Sequence, residues 1–240
     1  MKILEDLLSV LNYDCQVKDI RVGPFQTAVV TRNCGLASTP HDSGPHHQDS
    51  PVKEAGALLE KNPRALANMA KSEIELEASI GMATINSLIE IDESRCVELN
   101  AAELIASKGA GKRVAIIGHF PFVSRLRSIA GKLWVIEKRP REDDFPEEEA
   151  INLLPQADVV GITGTAFTNH TIEQLLKLCR QDAYVVVLGG TAPLSQILFD
   201  YGISAVSGTK VLDSEVVMRF ISQGATFRQI RGIRLLTMQK

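Results

Sequence analysis

The sequence predicts an α/β protein in which a small amino-terminal α+β domain is followed by a Rossmann-like domain with a mainly parallel sheet. From residue 100 onward, short apolar runs alternate with amphipathic helical patterns, which is typical of parallel strands covered by helices. Before that point, two β-rich runs separated by Gly23-Pro24 are followed by helical segments. We therefore predict two domains, residues 1–99 and 100–240.

The first elements follow from local patterns. Leucines at positions 4, 7, 8 and 11 recur at helical spacing and predict an amphipathic first helix. Residues 16–22 and 25–32 are rich in β-formers, and the Gly-Pro pair between them supplies the turn of a hairpin. These elements form the start of the predicted small domain.

A loop and two helices complete this domain. Residues 38–51 contain three prolines and three histidines without any hydrophobic period, which predicts a loop. Helices are predicted over residues 51–59 and 72–90. Apolar side chains recur on more than one face of the second helix, so we expect it to be buried on most sides.

The carboxyl-terminal region contains five strands made almost wholly of Val, Ile, Leu and Ala, as expected for burial on both faces of a sheet. They are residues 113–118, 133–137, 158–163, 184–189 and 203–207. Apolar residues at helical spacing predict a helix over 172–179, and Pro193 fits the first turn of the next helix. Residues 142–149 hold six carboxylates, which we interpret as a solvated loop and a helix amino terminus.

Composition limits the classes of function. With 45% hydrophobic and 23% charged residues, the chain is typical of a soluble globular protein. A net charge of −3 favours neither nucleic acid nor an anionic membrane as partner. The apolar runs fall short of the ~18 residues that cross a bilayer, and acids near the amino terminus argue against a signal peptide. The four cysteines form no C-x-x-C pair, which fits a reducing cytoplasm.

The first strand of the predicted sheet ends in Gly118-His119-Phe120-Pro121. Ligands of open α/β sheets bind beyond the carboxyl ends of the strands, so we expect this turn to line a site. A dinucleotide fold would have G-x-G-x-x-G here, which lets the backbone approach a pyrophosphate. NAD is therefore disfavoured. His119 is a candidate general base or metal ligand, although a lone histidine is often structural.

Glu137 ends the second strand, 19 residues after Gly118. In nucleotide-binding sheets an acid at this place accepts hydrogen bonds from ribose hydroxyls, which favours a nucleoside-type ligand. The alternative is that Glu137 pairs with Lys138 or Arg139 at the rim of the sheet. Both interpretations stay open.

Two further turns carry small and polar residues. Thr163-Gly164-Thr165 leads to Asn169 and His170 just before a helix, whose free N–H groups favour an anion or a carboxylate. Helix capping explains several of these hydroxyls and the amide equally well. Gly189-Gly190-Thr191 either lets the backbone approach a ligand or makes a tight turn.

The loop after the hairpin holds three of the five histidines, His41, His46 and His47. Together with nearby aspartates and Cys34, this composition suits borderline metals such as zinc. The spacing is irregular, and a solvated loop with weak metal binding is the alternative.

Several of these motifs together resemble the family described as "putative heavy-metal chelation". The matching positions are Ala78–Asn86, Gly118-His119-Phe120-Pro121, Glu137, Thr163-Gly164-Thr165 with Asn169 and Thr171, and Ala192-Pro193. The resemblance implies a domain like the amino-terminal domain of enolases, a Rossmann-like domain, and a site in the cleft between them. It also implies that Ser79 and Asn86 face that cleft, with Gly35 and Thr39. The chain departs from the family pattern at Gly190-Thr191, where Pro-Ser is usual, and at His170, where a small residue is commoner.

Three hypotheses of function follow. The first is a cytoplasmic protein that binds or processes a chelate, or its organic precursor, with His119, Glu137 and Asn169 as polar anchors. The second is a group-transfer enzyme with a nucleoside cofactor such as S-adenosylmethionine. The third is a binding module without turnover, in which the histidine loop carries a heavy-metal ion. The sequence leaves the reaction and the oligomeric state open, a homo-oligomer included.

Overall fold

A computed structural model describes residues 1–40 and 52–240 of the chain. The strands are β1 (Asp19–Val22), β2 (Gln26–Val30), β3 (Cys34–Ser38), β4 (Cys96–Val97), β5 (Arg113–Ile117), β6 (Lys132–Glu137), β7 (Phe145–Pro146), β8 (Val159–Thr163), β9 (Tyr184–Leu188), β10 (Ala205–Val211) and β11 (Ile233–Gln239). The helices are α1 (Lys2–Ser9), α2 (Pro63–Asn68), α3 (Glu75–Leu88), α4 (Ala101–Gly109), α5 (Val123–Arg127), α6 (Ala150–Leu153), α7 (Ile172–Leu178) and α8 (Ser214–Ser222).

The small sheet has three antiparallel strands in the order β1-β2-β3. The long helix α3 packs across β2 and β3, and nearly all of its residues are buried. Gly35 makes this close approach possible, because a β-carbon there would lie 2.2 Å from both the carbonyl oxygen of Ala83 and the amide nitrogen of Ser87. The helix therefore lies directly on the strand backbone.

The large sheet has eight strands in the order β4-β11-β10-β9-β8-β5-β6-β7. The six strands from β10 to β7 are parallel, and β11 and β4 add an antiparallel edge. The chain runs from β5 outward to β6 and β7 and then returns to β8 on the other side of β5. The order of the strands thus reverses between β5 and β8, which is where ligands of open α/β sheets bind.

The two sheets share one core. Buried residues of α1 and α3 belong to the same apolar cluster as buried residues of β8 and β9. Hydrogen bonds also join the two parts of the chain: Ile3 N donates to Glu173 Oε1 at 2.8 Å, and the amide nitrogen of Ser38 donates to Thr191 Oγ1 at 2.9 Å. β4 joins the large sheet although it lies before residue 100. The division into domains 1–99 and 100–240 stays a prediction.

The predicted fold class is confirmed as an α/β fold with a mostly parallel sheet and a separate small antiparallel sheet. The hairpin, the five predicted strands and the helices at α1, α3 and α7 are all present. The prediction of a helix over residues 51–59 is wrong: from residue 52 the chain turns, and only Leu58–Glu60 forms a single 3-10 turn. Glu54 and Gly56 have positive φ angles, 57° and 95°, which a right-handed helix excludes.

Other predictions were incomplete. Pro193 does not start an α-helix, because residues 196–201 form a 3-10 helix that begins three residues later. Strands β3, β4, β7 and β11 were not predicted. His41, His46 and His47 lie outside the described residues. Among the residues that are described, no helix combines the length and the apolar character needed to span a membrane.

Candidate functional site

A cleft of about 810 Å³ lies between the two sheets at the carboxyl ends of β5 and β8. Seven of the predicted site residues line it: Gly118, His119, Phe120, Glu137, Thr163, Thr165 and Asn169. The small sheet contributes the opposite wall, which includes Phe25, Gln26 and Thr39. The cleft therefore occupies the position that the reversal of strand order indicates for a ligand.

His119 is oriented by a carboxylate that sequence reasoning placed in a solvated loop. Its Nδ1 lies 3.1 Å from Asp144 Oδ2, and the Asp144 side chain is only 1% exposed. The same Oδ2 accepts a hydrogen bond from the amide nitrogen of Arg141 at 3.2 Å. The interpretation of residues 142–149 as wholly solvated is thus wrong for Asp144, because β7 pairs with β6 and holds Asp144 against the His119 turn.

We place the ring proton of neutral His119 on Nδ1, because the Asp144 carboxylate is a hydrogen-bond acceptor. Nε2 then keeps its lone pair, and it has no hydrogen-bond partner within residues 1–40 and 52–240. The side chain is 25% exposed and lines the cleft. A carboxylate behind an imidazole fixes the tautomer and the orientation of the ring, so Nε2 can act as a base or as a metal ligand.

Glu137 holds the backbone of the same turn. Its Oε1 accepts a hydrogen bond from the amide nitrogen of His119 at 2.5 Å, and its Oε2 accepts one from that of Lys138 at 3.1 Å. Gly118 precedes the turn with φ of 102°. Both carboxylate oxygens therefore have a partner in the protein already, although Glu137 also lines the cleft.

The loop after β8 combines capping with free polar groups. Thr163 Oγ1 accepts a bond from the amide nitrogen of Thr165 at 3.4 Å and so caps a 3-10 turn. Asn169 Oδ1 accepts bonds from Thr171, at 2.7 Å from the hydroxyl and 3.3 Å from the amide nitrogen. The Asn169 Nδ2 group has no partner in the described part of the chain. This local turn before α7 therefore uses the oxygen of the amide and leaves its donor available.

A second group of predicted site residues lies outside the cleft lining. Ser79 Oγ donates to the carbonyl oxygen of Ser38 at 2.9 Å, and Asn86 Nδ2 donates to those of Leu36 at 2.8 Å and Thr191 at 3.2 Å. These hydrogen bonds join α3 and β3 to the loop after β9. We call the five residues involved the seam: Leu36, Ser38, Ser79, Asn86 and Thr191. Ser79 and Asn86 lie on one face of α3, since both side chains donate to carbonyl oxygens of β3.

Five further predicted positions do not belong to the lining of the cleft. Pro121, Gly164, Gly189 and Gly190 are not among the residues that line the cleft. His170 adopts a positive φ of 61°, and its Nε2 lies 2.9 Å from the carbonyl oxygen of Ala70. This contact ties the loop after β8 to the amino-terminal part of the chain. A binding role for these residues stays a prediction.

Among the residues that the fold brings to the site, sequence reasoning missed Asp144 and Gln26. Asp144 is hidden in an acidic run, and only the pairing of β7 with β6 distinguishes it from its solvated neighbours. Gln26 lies in β2 and is 5% exposed at the cleft. No local pattern marks either residue, because both depend on contacts between distant parts of the chain.

The described residues contain no group of three or more His, Cys, Asp or Glu side chains that could hold a metal ion. Two cysteines are also unsuited to metal binding. Burial raises the pKa of the Cys34 thiol to about 12, and it does the same for Cys179. Because the thiolate is the form that binds metals, these side chains are poor ligands at neutral pH.

Comparison with known proteins defines the class. Residues 100–238 match one family model and residues 4–89 match a second, and both are described as "putative heavy-metal chelation". The chain belongs to this family. An uncharacterised protein of Methanocaldococcus jannaschii is 28% identical over 183 residues, which cover 72% of this chain and 70% of that protein.

Two solved structures have the same fold. One is a protein of unknown function from Desulfitobacterium hafniense, with a TM-score of 0.84 and 24% identity over 100% of this chain and 97% of the other. The second, from Pyrococcus horikoshii and also of unknown function, has a TM-score of 0.85 and 21% identity over 100% and 98% of the two chains. At these identities the likeness extends to the fold alone.

Proposed function

We propose that the cleft binds a small metal-chelating molecule as its metal complex, and that His119 Nε2 takes an open coordination position of the metal. The pairing of His119 with the buried Asp144 carries this proposal, because such a carboxylate orients an imidazole for metal binding. The family description, "putative heavy-metal chelation", supports a metal chelate as the class of ligand.

The shortage of protein ligands favours a chelate over a bare ion. No group of three metal-binding side chains exists among the described residues, so the remaining coordination positions would be filled by the organic molecule. A cleft of about 810 Å³ has the size of an ordinary small-molecule site, roughly 300–1,000 Å³. The protein then needs to supply only one bond to the metal.

The lining also suits such a complex. Within the described residues, the lining holds the carboxylates of Glu137, Glu147 and Glu148 against one lysine, Lys138, which favours a neutral or cationic complex. Phe120 and Phe227 add apolar surface to the lining. The donor Nδ2 of Asn169 is available for a carboxylate of the chelator.

The test is a calorimetric titration with Ni²⁺–iminodiacetate, a tridentate chelate that leaves coordination positions for an imidazole. Three proteins are compared: the natural chain, His119→Ala, and a loop variant with His41, His46 and His47 replaced by Ala. The proposal predicts that the loop variant keeps cleft binding and that His119→Ala weakens it at least about tenfold. Binding that disappears in the loop variant and persists in His119→Ala would instead support a metal-carrying loop.

The nucleoside alternative depends on Glu137, which lines the cleft at the end of β6. Its two oxygens already accept backbone N–H groups, which makes it a weaker candidate for ribose. Calorimetric titration with S-adenosylmethionine tests whether the cleft binds a nucleoside cofactor. Binding by the natural chain that is abolished in Glu137→Gln would favour the cofactor reading over the chelate.

A further inference from the structure

Gln26 carries a buried hydrogen-bond acceptor without a partner. Its side chain is 5% exposed, and its Nε2 donates to the carbonyl oxygen of Phe25 at 2.6 Å. Its Oε1 is buried and has no hydrogen-bond partner among residues 1–40 and 52–240. Buried polar atoms are nearly always paired, because losing water without a replacement costs free energy.

The structure gives no internal reason for an amide at this position. The Phe25 carbonyl also accepts a hydrogen bond from the amide nitrogen of Thr39 at 3.1 Å, so it would stay paired without Gln26. An apolar side chain of similar size would therefore remove one unpaired acceptor and create none. The unpaired oxygen of this amide lowers the free energy of unfolding of the unliganded protein. Stability therefore does not explain why this residue is a glutamine.

The position of the oxygen indicates what it serves. Gln26 belongs to the wall of the cleft, as does Phe227. A β-carbon on Gly190 would lie 3.4 Å from Gln26 Oε1 and 2.9 Å from Cε2 of Phe227. The oxygen thus lies close to the Phe227 ring and to Gly190, which has no side chain.

We infer that Gln26 Oε1 accepts a hydrogen bond from an N–H or O–H group of the molecule bound in the cleft. The cleft then selects chelators that keep an amine or hydroxyl donor. This inference rests on the proposed function and specifies one chemical feature of its ligand.

Two nickel complexes differ only at the nitrogen that carries this donor, and the Gln26 variants control for the added bulk of a methyl group there. Coordinated iminodiacetate keeps one N–H, whereas N-methyliminodiacetate has a methyl group in its place. Calorimetric affinities for both are measured in the loop variant lacking His41, His46 and His47. We expect the N–H complex to bind roughly five- to tenfold more tightly, the size of one good hydrogen bond. Gln26→Leu and Gln26→Met should abolish this preference, whereas the surface control Gln156→Met should keep it.

Thermal unfolding of the empty protein separates this role from a structural one. With an unpaired acceptor removed, both Gln26 variants should melt at the natural temperature or up to about 4 °C above it. A fall of more than about 4 °C in both would make Gln26 a structural residue and overturn the inference.

The binding outcomes separate the two proposals. Equal affinities for the two complexes, with binding that still depends on His119, would overturn the role of Gln26 and leave the proposed function standing. A preference that persists in both Gln26 variants would also overturn it. Binding that does not depend on His119 would overturn both.

Discussion

The seam and the cleft both contain polar residues that were predicted to form one site, yet these residues use their hydrogen bonds differently. At the seam, Ser79, Asn86 and Thr191 pair with backbone groups of a neighbouring element. At the cleft, His119 Nε2, Asn169 Nδ2 and Gln26 Oε1 have no partner in residues 1–40 and 52–240. Both regions contain residues that sequence reasoning assigned to the same site.

The difference teaches that position at the end of a strand does not by itself identify a ligand-binding residue. What distinguishes the cleft is hydrogen-bonding capacity that the fold leaves unused. If this is right, substitutions at the seam should mainly lower stability, and substitutions at the cleft should mainly lower ligand affinity. The predictions below test this division, beginning with the largest expected effect.

Gly35→Ala should be the most damaging change at the seam side. The new β-carbon would meet backbone atoms of α3 at 2.2 Å, and backbone cannot move aside cheaply. We expect a loss of at least about 3 kcal/mol in the free energy of unfolding, measured by denaturant titration. Gly190→Ala, which meets the tip of the Phe227 side chain, should cost less than half as much. Equal losses would contradict the contrast.

Two asparagines allow a direct comparison. Asn86→Ala removes a donor shared by the carbonyls of Leu36 and Thr191, so it should lower the free energy of unfolding by about 2–3 kcal/mol. Asn169→Ala removes only local hydrogen bonds from Thr171 and should cost about 1 kcal/mol. Affinity for Ni²⁺–iminodiacetate should fall more in Asn169→Ala. Greater loss of affinity in folded Asn86→Ala would show that the seam belongs to the binding site.

Adjacent aspartates test the orientation of His119. Asp144→Asn replaces the carboxylate behind Nδ1, and the affinity for Ni²⁺–iminodiacetate should fall about 10- to 100-fold. Asp143→Asn removes the same charge from an exposed side chain and serves as the control, with affinity within about twofold of the natural chain. Similar losses of affinity in the two variants would show that net charge, and not the orientation of His119, causes the effect.

An ion pair between Arg113 and Asp158 lies at the amino ends of β5 and β8, away from the cleft, and its contribution to stability depends on pH. A side-chain hydrogen bond from Arg113 lowers the pKa of Asp158 far below its usual value. The stabilisation is therefore present above pH 4 and is lost as the pH falls toward the lowered pKa. Asp158→Asn should cost about 1 kcal/mol at pH 7, and the difference between the two unfolding curves should shrink below pH 4. Ligand affinity at pH 7 should not change, because the pair lies at the opposite end of the sheet.

Local patterns predicted the strands and helices whose burial is nearly uniform. β5, β6 and β9 contain unbroken apolar runs, and α3 is buried on most faces. The undetected strands lack such a signal. β3 has the sequence Cys-Gly-Leu-Ala-Ser, whose weak β-propensity is overridden by pairing with β2 and by packing under α3.

The site was only half predictable for a related reason. The residues after each strand could be read from the chain, and seven of them do line the cleft. Whether a polar group already has a hydrogen-bond partner within the protein depends on residues far away in the sequence. Asn86 and Thr191, for example, lie 105 positions apart. The same holds for Asp144, which is recruited from an acidic loop to a histidine 25 positions away. Such pairs leave no mark on local sequence.

The most direct measurement is anomalous diffraction at the nickel edge from crystals of the loop variant soaked with Ni²⁺–iminodiacetate. The proposed function predicts one strong peak in the cleft, within about 2.2 Å of His119 Nε2, the length of a metal–imidazole bond. The peak should be absent from His119→Ala crystals soaked in the same way. Nickel bound only elsewhere on the protein, or an empty cleft at saturating chelate, would contradict the proposal that this cleft holds a metal complex.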